Sequence, residues 1–148
     1  MRTNLSQLVA RLVLAAGFLL DGIPRLGPSG HYAFAALLRQ IGVPAANVLA
    51  WVGAGAEIGL AIAVLLGVYV TLAGLVMLVL MLVMLFRVHA TGGFSFAHAP
   101  GLNAQVPPFA LPAYEVLALY CVLALIVVLG GPGRWSVDAA RHRTERAV

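Results

Sequence analysis

Four stretches of the chain, each close to twenty residues of nearly unbroken apolar side chains, restrict it to one solvent: the interior of a lipid bilayer. They run from about Leu5 to Ile23, Asn47 to Leu66, Val68 to Phe86 and Pro112 to Gly130. A spanning helix needs about 20 apolar residues. In hydrocarbon, every backbone polar group must find its partner within the protein, which favours helices. Composition agrees: 62% of residues are hydrophobic and 9% charged, where soluble domains run near half and a quarter. The mean hydropathy is +1.01. The expected fold is an all-α membrane protein, a four-transmembrane-helix bundle. Residues 1–148 form a single integral membrane domain with no room for a second globular unit. The first stretch is read as a helix of the mature protein and not a signal peptide. Arg11 interrupts it, and no small-x-small cleavage site follows it.

The connections differ in kind. The second and third stretches meet at Gly67 with almost no loop, which predicts a tight antiparallel hairpin. Residues 24–46 contain a run from His31 to Ile41 that reads as a short interfacial helix closed by Gly42 and Pro44. Residues 87–111 hold Gly92-Gly93, Pro100-Gly101 and Pro107-Pro108, which predict an ordered loop or a partly re-entrant cap. Four spans place both termini on one side. That side carries Arg2, Arg134, Arg141, Arg143 and Arg146, against Arg25, Arg39 and Arg87 on the other. The arginine excess marks the cytoplasmic face. The prediction is therefore a multi-pass membrane protein with cytoplasmic termini, a cytoplasmic tail over 131–148, and interfacial helix or loop caps outside.

Charge is expensive in this setting, about 2.5–3.5 kcal/mol per group near the bilayer centre. Glu57 falls near the midpoint of the second span and Arg11 in the cytoplasmic half of the first. A 1.5 Å rise per residue places them within roughly 5–8 Å in depth. An Arg11–Glu57 pair is the expectation; a protonated Glu57 is the alternative. A second group gathers at the outer boundary: Asp21 and Arg25 end the first span, Arg87 and His89 the third, and Glu115 opens the fourth. Threading brings them to one side as a polar pocket mouth above Glu57. The candidate ligand-binding residues are Arg11, Asp21, Glu57, His89 and Glu115. Against this stand plainer roles: snorkelling or helix capping for the residues at helix ends, and a packing-only pair for Glu57.

Other features are weighed the same way. Gly55, Gly59, Ala63 and Gly67 form a small-residue ridge on the second span, a surface for close helix packing or for homo-oligomer formation. Glu57 points nearly opposite to it. Met77, Met81 and Met84 share a face of the third span, read as adaptable packing in preference to a copper site. No metal site is assigned. Tyr32, Trp51, Tyr69, Tyr114 and Trp135 sit at expected interfaces, as aromatic belts do. The single cysteine, Cys121, excludes an intramolecular dithiol mechanism. The basic tail is read as a membrane-topology signal and not a nucleic-acid site, since no water-soluble basic face exists.

Several of these residues fall in the order seen in the DoxX family of small four-helix bacterial membrane proteins, which the chain resembles from Arg11 to Asp138. The sharpest part is Gly131-Pro-Gly-Arg-Trp-Ser-Val-Asp138, similar to the family's closing G-P-G-R-(aromatic)-S-x-D element. Arg11-Leu12, Gly17-Phe18-Leu19, Glu57, His89 with Gly92-Gly93-Phe94, and Tyr114-Glu115 also fit. Read on its own chemistry, the closing element terminates the fourth helix at Gly130-Gly131-Pro132. Arg134 then sits at headgroup level, and Asp138 pairs with it or caps a short tail helix. The resemblance implies a link to redox systems, including membrane subunits of thiosulfate:quinone oxidoreductase and complexes that handle oxidative and thiol stress. No flavin, iron–sulfur or dinucleotide motif is present in the chain.

Whether the chain is an enzyme stays open. The first expectation is a membrane subunit of a redox complex, anchoring a soluble or membrane redox protein. It would hold a quinone head group near Glu57, Arg11, Glu115 and His89. The second is a non-catalytic scaffold or assembly factor. The third is a transporter of a small solute or protons, with Glu57 as its site.

Overall fold

The computed structural model describes residues 2–89 and 114–140. Every regular element among them is helical: α1 (Arg2–Arg25), α2 (Pro28–Gln40), α3 (Ala46–Leu66), α4 (Val70–Met84) and α5 (Tyr114–Gly130). A π-helical turn over Leu85–His89 extends α4. The segments Asn4–Arg25, Ala46–Leu66 and Val70–Arg87 are long and apolar enough to cross a membrane, and α5 adds a shorter apolar helix. The protein is a membrane protein: many of its leucines, valines and isoleucines, such as Leu20, Val52, Leu72 and Leu129, lie exposed on the outside of these helices, where lipid would solvate them.

The helices pack with α1 against α3 and α5, and α4 against α3 and α5. Their shared core is dry, with Leu14 and Phe18 from α1, Val64 from α3, Met77 from α4 and Ala124 from α5 fully buried. Met77 and Met81 belong to this core, in keeping with a packing role. Cys121 is also buried there.

The α3–α4 connection shows why the hairpin is so short. The N–H of Val68 donates to the Ala63 carbonyl (2.9 Å) and that of Gly67 to Val64 (3.2 Å), a glycine-terminated helix end. Gly67 has φ +79°, and a side chain there would collide with Ser136 and Arg11. Tyr69 then takes φ +47° before α4 begins. The third stretch therefore enters its helix at Val70 and not at Val68, because two left-handed residues must turn the chain first.

The helix α2 stands apart from the main core. Gly27 caps it, Pro28 opens it, and Gly42 (φ +80°) closes it. It packs on α1 and α3, and its buried Phe34, Ala35 and Leu37 form a small separate cluster with Ala50, edged by Met84. The sequence bounds the first stretch at about Ile23, before Pro24, yet α1 continues to Arg25. Proline in a final turn removes one N–H only, and the Pro24 carbonyl still accepts from Gly27 (3.1 Å). The cap expected over 87–111 lies outside the described residues beyond His89. So do Arg141, Arg143 and Arg146 of the tail.

Candidate functional site

Two polar layers interrupt the apolar bundle. The first surrounds Arg11, which is 2% exposed. Its Nε donates to the Val64 carbonyl (2.8 Å) and its Nη2 to Leu65 (2.9 Å). Its Nη1 donates to the carbonyls of Pro132 and Trp135 (both 3.0 Å). The last turn of a helix leaves carbonyls without intrahelical partners, and Arg11 meets those of α3 while holding the closing element beside them. Asp138 completes the layer. Its two carboxylate oxygens accept from the backbone N–H groups of Tyr69 and Val70 (both 3.0 Å). Its own N–H donates to the Gly67 carbonyl (3.0 Å). Ser136 Oγ donates to the Gly133 carbonyl (2.8 Å) and accepts from the Ala139 N–H (3.1 Å).

This corrects two expectations. Arg11 does not pair with Glu57, because Glu57 stands opposite Gly22, eleven residues further along α1, roughly 16 Å away at 1.5 Å per residue. The carbonyls of Val64, Leu65, Pro132 and Trp135 lie within reach of Arg11 instead. Asp138 does not cap the tail; it caps α4, and Ser136 caps the tail turn. The closing motif is a latch laid across the α3–α4 turn.

The second layer lies at the other end of α1. Asp21 and Arg25 are four residues apart and so share a face of the helix. Glu57 sits on the buried face of α3, in line with the fully buried Ala50, Ala54, Ala61 and Val64. These small residues, with Gly22 opposite, let α1 come close: a Cβ at Gly22 would stand 3.0 Å from Ile58 and 3.5 Å from Glu57 Oε2. Arg25 Nη1 donates to Glu57 Oε1 in a salt bridge whose side chains are 7% and 13% exposed. The other carboxylate oxygen, Oε2, is buried and has no hydrogen-bond partner among the described residues. Asp21, half-buried, lies within electrostatic reach of Arg25, Glu57 and Tyr120.

Aromatic side chains finish this layer. The guanidinium of Arg25 lies 4.4 Å from the centre of the Phe34 ring. His31 stacks on Trp51 at 4.3 Å between centroids, and its buried Nδ1 also lacks a partner among the described residues. Tyr120 of α5 fits over Gly17, where a Cβ would overlap its ring and hydroxyl. On α1 the two layers are roughly 15 Å apart, with only apolar residues between Arg11 and Asp21.

Of the five residues singled out by sequence, Asp21 and Glu57 come together and Arg11 stands in the opposite layer. The side chains of His89 and Glu115 lie outside the described structure; their backbones fall in the π-helical turn and the first turn of α5. Arg87 is exposed. Sequence reasoning placed Arg25 at the pocket mouth but not as the partner of Glu57, and it assigned nothing to Phe34, His31 or Tyr120. The four-residue spacing of Asp21 and Arg25 was the available signal. The ridge also changes: Gly67 is consumed by the latch, while at Gly55 and Gly59 a side chain would meet nothing within 4 Å.

Residues 6–90, more than half of the chain, match the DoxX family. This chain belongs to the DoxX family. No curated protein and no solved structure matches it. The DoxX match takes in α1 to α4, and with them Arg11, Asp21, Arg25 and Glu57. The latch residues 131–138 and α5 lie beyond the matched stretch, so their DoxX character rests on the motif itself.

Proposed function

We propose that this DoxX protein is the membrane subunit of a redox complex and that the Asp21–Arg25–Glu57 layer holds a quinone head group. The observation that carries the reading is Glu57: one carboxylate oxygen is paired and the other is buried without a partner among the described residues. A buried polar atom in that state is costly unless a ligand or proton meets it. A guanidinium beside a carboxylate offers a quinone both a donor for its carbonyl and a base for its reduced hydroxyl. His89 and Glu115 join at the same end of the bundle through their backbone positions. The redox class itself comes from the family resemblance.

In this reading α5 is the fourth span, and α2 lies in the outer interface. The termini face the cytoplasm of the bacterial inner membrane, where the arginine excess belongs. A soluble or membrane redox protein docks on the chain, and a second copy would pack against the open Gly55–Gly59 surface. The test is Glu57→Gln in the reconstituted complex. Quinone-dependent turnover should be abolished while the variant still folds and assembles. Unchanged turnover removes the site.

A scaffold role is the second reading, and Arg11 favours it. That residue shows that a buried charge in this bundle can be wholly structural. Under it, Glu57→Gln would fold, bind partners and alter no chemistry.

A further inference from the structure

The helix α2 covers the Arg25–Glu57 pair, and four observations bear on how it does so. Its apolar contacts form a cluster of their own, apart from the core shared by α1, α3, α4 and α5. It packs on α1 and α3, on the side where the salt bridge lies. Its ends are turns: Gly27 precedes Pro28, and Gly42 (φ +80°) and Ala45 (φ +51°) flank the exit. Its side chains meet the neighbouring helices through rings, the Phe34 ring against the Arg25 guanidinium and His31 stacked on Trp51.

We propose that α2 is a hinged lid over the salt bridge, with Phe34 as its catch, and that it lifts to admit a ligand from the outer boundary of the membrane. Moving α2 as a unit breaks the small Phe34–Leu37–Ala50 cluster, two ring contacts, the Arg39–Asn47 hydrogen bond and the seat of Gly30 on the Pro24–Arg25 backbone. The buried residues of the main core keep their contacts, and only Met84, which edges both clusters, is shared. Segments with their own few apolar contacts open more readily than the core they rest on. Ala45, the N-cap of α3, holds a left-handed conformation that a β-carbon disfavours, so the chain bends sharply where α2 would pivot. When Phe34 withdraws, the in-plane N–H groups of Arg25 beyond the one that meets Glu57 can turn toward an entering ligand. Glu57 Oε2, the partnerless acceptor, lies beside them. The ligand class that satisfies both is a head group carrying a carbonyl oxygen and a hydroxyl, the two functions a quinone exchanges on reduction. The lid itself is independent of that assignment; only the choice of ligand rests on the proposed redox function.

The test separates the two. Hydrogen exchange on the full-length protein in nanodiscs reads the lid without any ligand. The α2 amides should exchange together. Phe34→Ala should speed them roughly tenfold or more, through loss of the ring contact, with α1, α3 and α4 unchanged. Phe34→Leu, which keeps apolar bulk but not the ring, should fall between. If Phe34→Ala leaves α2 exchange unaltered, or accelerates α1 and α3 equally, α2 is a fixed part of the bundle and the lid is wrong. Ligand entry is read with His31→Cys/Trp51→Cys on a Cys121→Ser background, joined by a short thiol-reactive crosslinker. Binding of a short-chain ubiquinone should vanish on crosslinking and return on cleavage of the linker. Binding that persists in the locked protein overturns the lid as an entry route. Faster exchange in Phe34→Ala, with no ubiquinone bound in the unlocked protein, leaves the lid standing and removes the quinone.

Discussion

The two polar layers use the same kind of charge for different ends. Around Arg11 every donor contact is to backbone carbonyls, contributed by α3 and by the latch. Around Arg25 the contacts are to side chains, a carboxylate and an aromatic ring, and the acceptor left over is a carboxylate oxygen, where beside the latch it is the neutral amide oxygen of Gln7. Backbone acceptors cannot be substituted away. Their satisfaction is a condition of folding, so the inner layer is structural. Side-chain partners can be replaced by apolar residues of similar volume, so the proposed function assigns the incompletely satisfied outer pair to ligand binding in preference to stability. The difference lies in what each arginine faces, and not in its depth or burial.

The comparison can be broken most readily at Arg11. Arg11→Met removes donors from the helix-end carbonyls of α3 and unfastens the latch. It should lower unfolding free energy by about 3–5 kcal/mol, the effect of leaving several buried acceptors unpaired. Denaturant titration in mixed micelles would check it, and a loss near zero would remove the structural assignment. Gly17→Ala probes the far side of the bundle. Its new methyl overlaps the Tyr120 ring and should cost about 1–3 kcal/mol. Tyr120→Leu in the same chain should recover most of that loss, which a double-mutant cycle would measure. Asp138→Ala sharpens the inner layer alone. Loss of an N-cap carboxylate on α4 should cost about 1–2 kcal/mol, read as a lower thermal midpoint with ligand binding unchanged.

The parts of this account that were legible in the sequence are the ones set by hydrophobic length and by turn chemistry. The long apolar helices follow from uninterrupted leucine, valine and alanine, and the closeness of α3 and α4 from Gly67. The buried, inward position of Glu57 also follows, because a carboxylate in hydrocarbon must face protein. Its partner was not legible. The midpoint of the second stretch put Glu57 level with Arg11, whereas the helix packing sets it opposite Gly22, three residues from Arg25 and eleven from Arg11. The destination of Arg11 depends instead on backbone carbonyls near it. The carbonyls of Val64 and Leu65 have no residue-type signature, so a sequence cannot display them. The reach of Asp138 to Tyr69 and Val70 was hidden for the same reason, since its targets are backbone N–H groups. Phe34 and Tyr120 were missed because an aromatic in an apolar run looks like packing until its neighbour is known to be an arginine or a glycine.

The central claim is that the outer pair is retained for function and the inner arginine for folding. The most direct measurement compares unfolding free energies of the parent, Arg25→Ala, and the double variant Arg25→Met/Glu57→Leu under one set of conditions. Arg25→Ala strands a buried carboxylate and should lose about 3–5 kcal/mol. The double variant, with both charges replaced by apolar bulk, should match the parent or exceed it, while no longer binding a short-chain quinone. A double variant that unfolds as readily as Arg25→Ala would contradict the account, because the outer pair would then be as structural as Arg11.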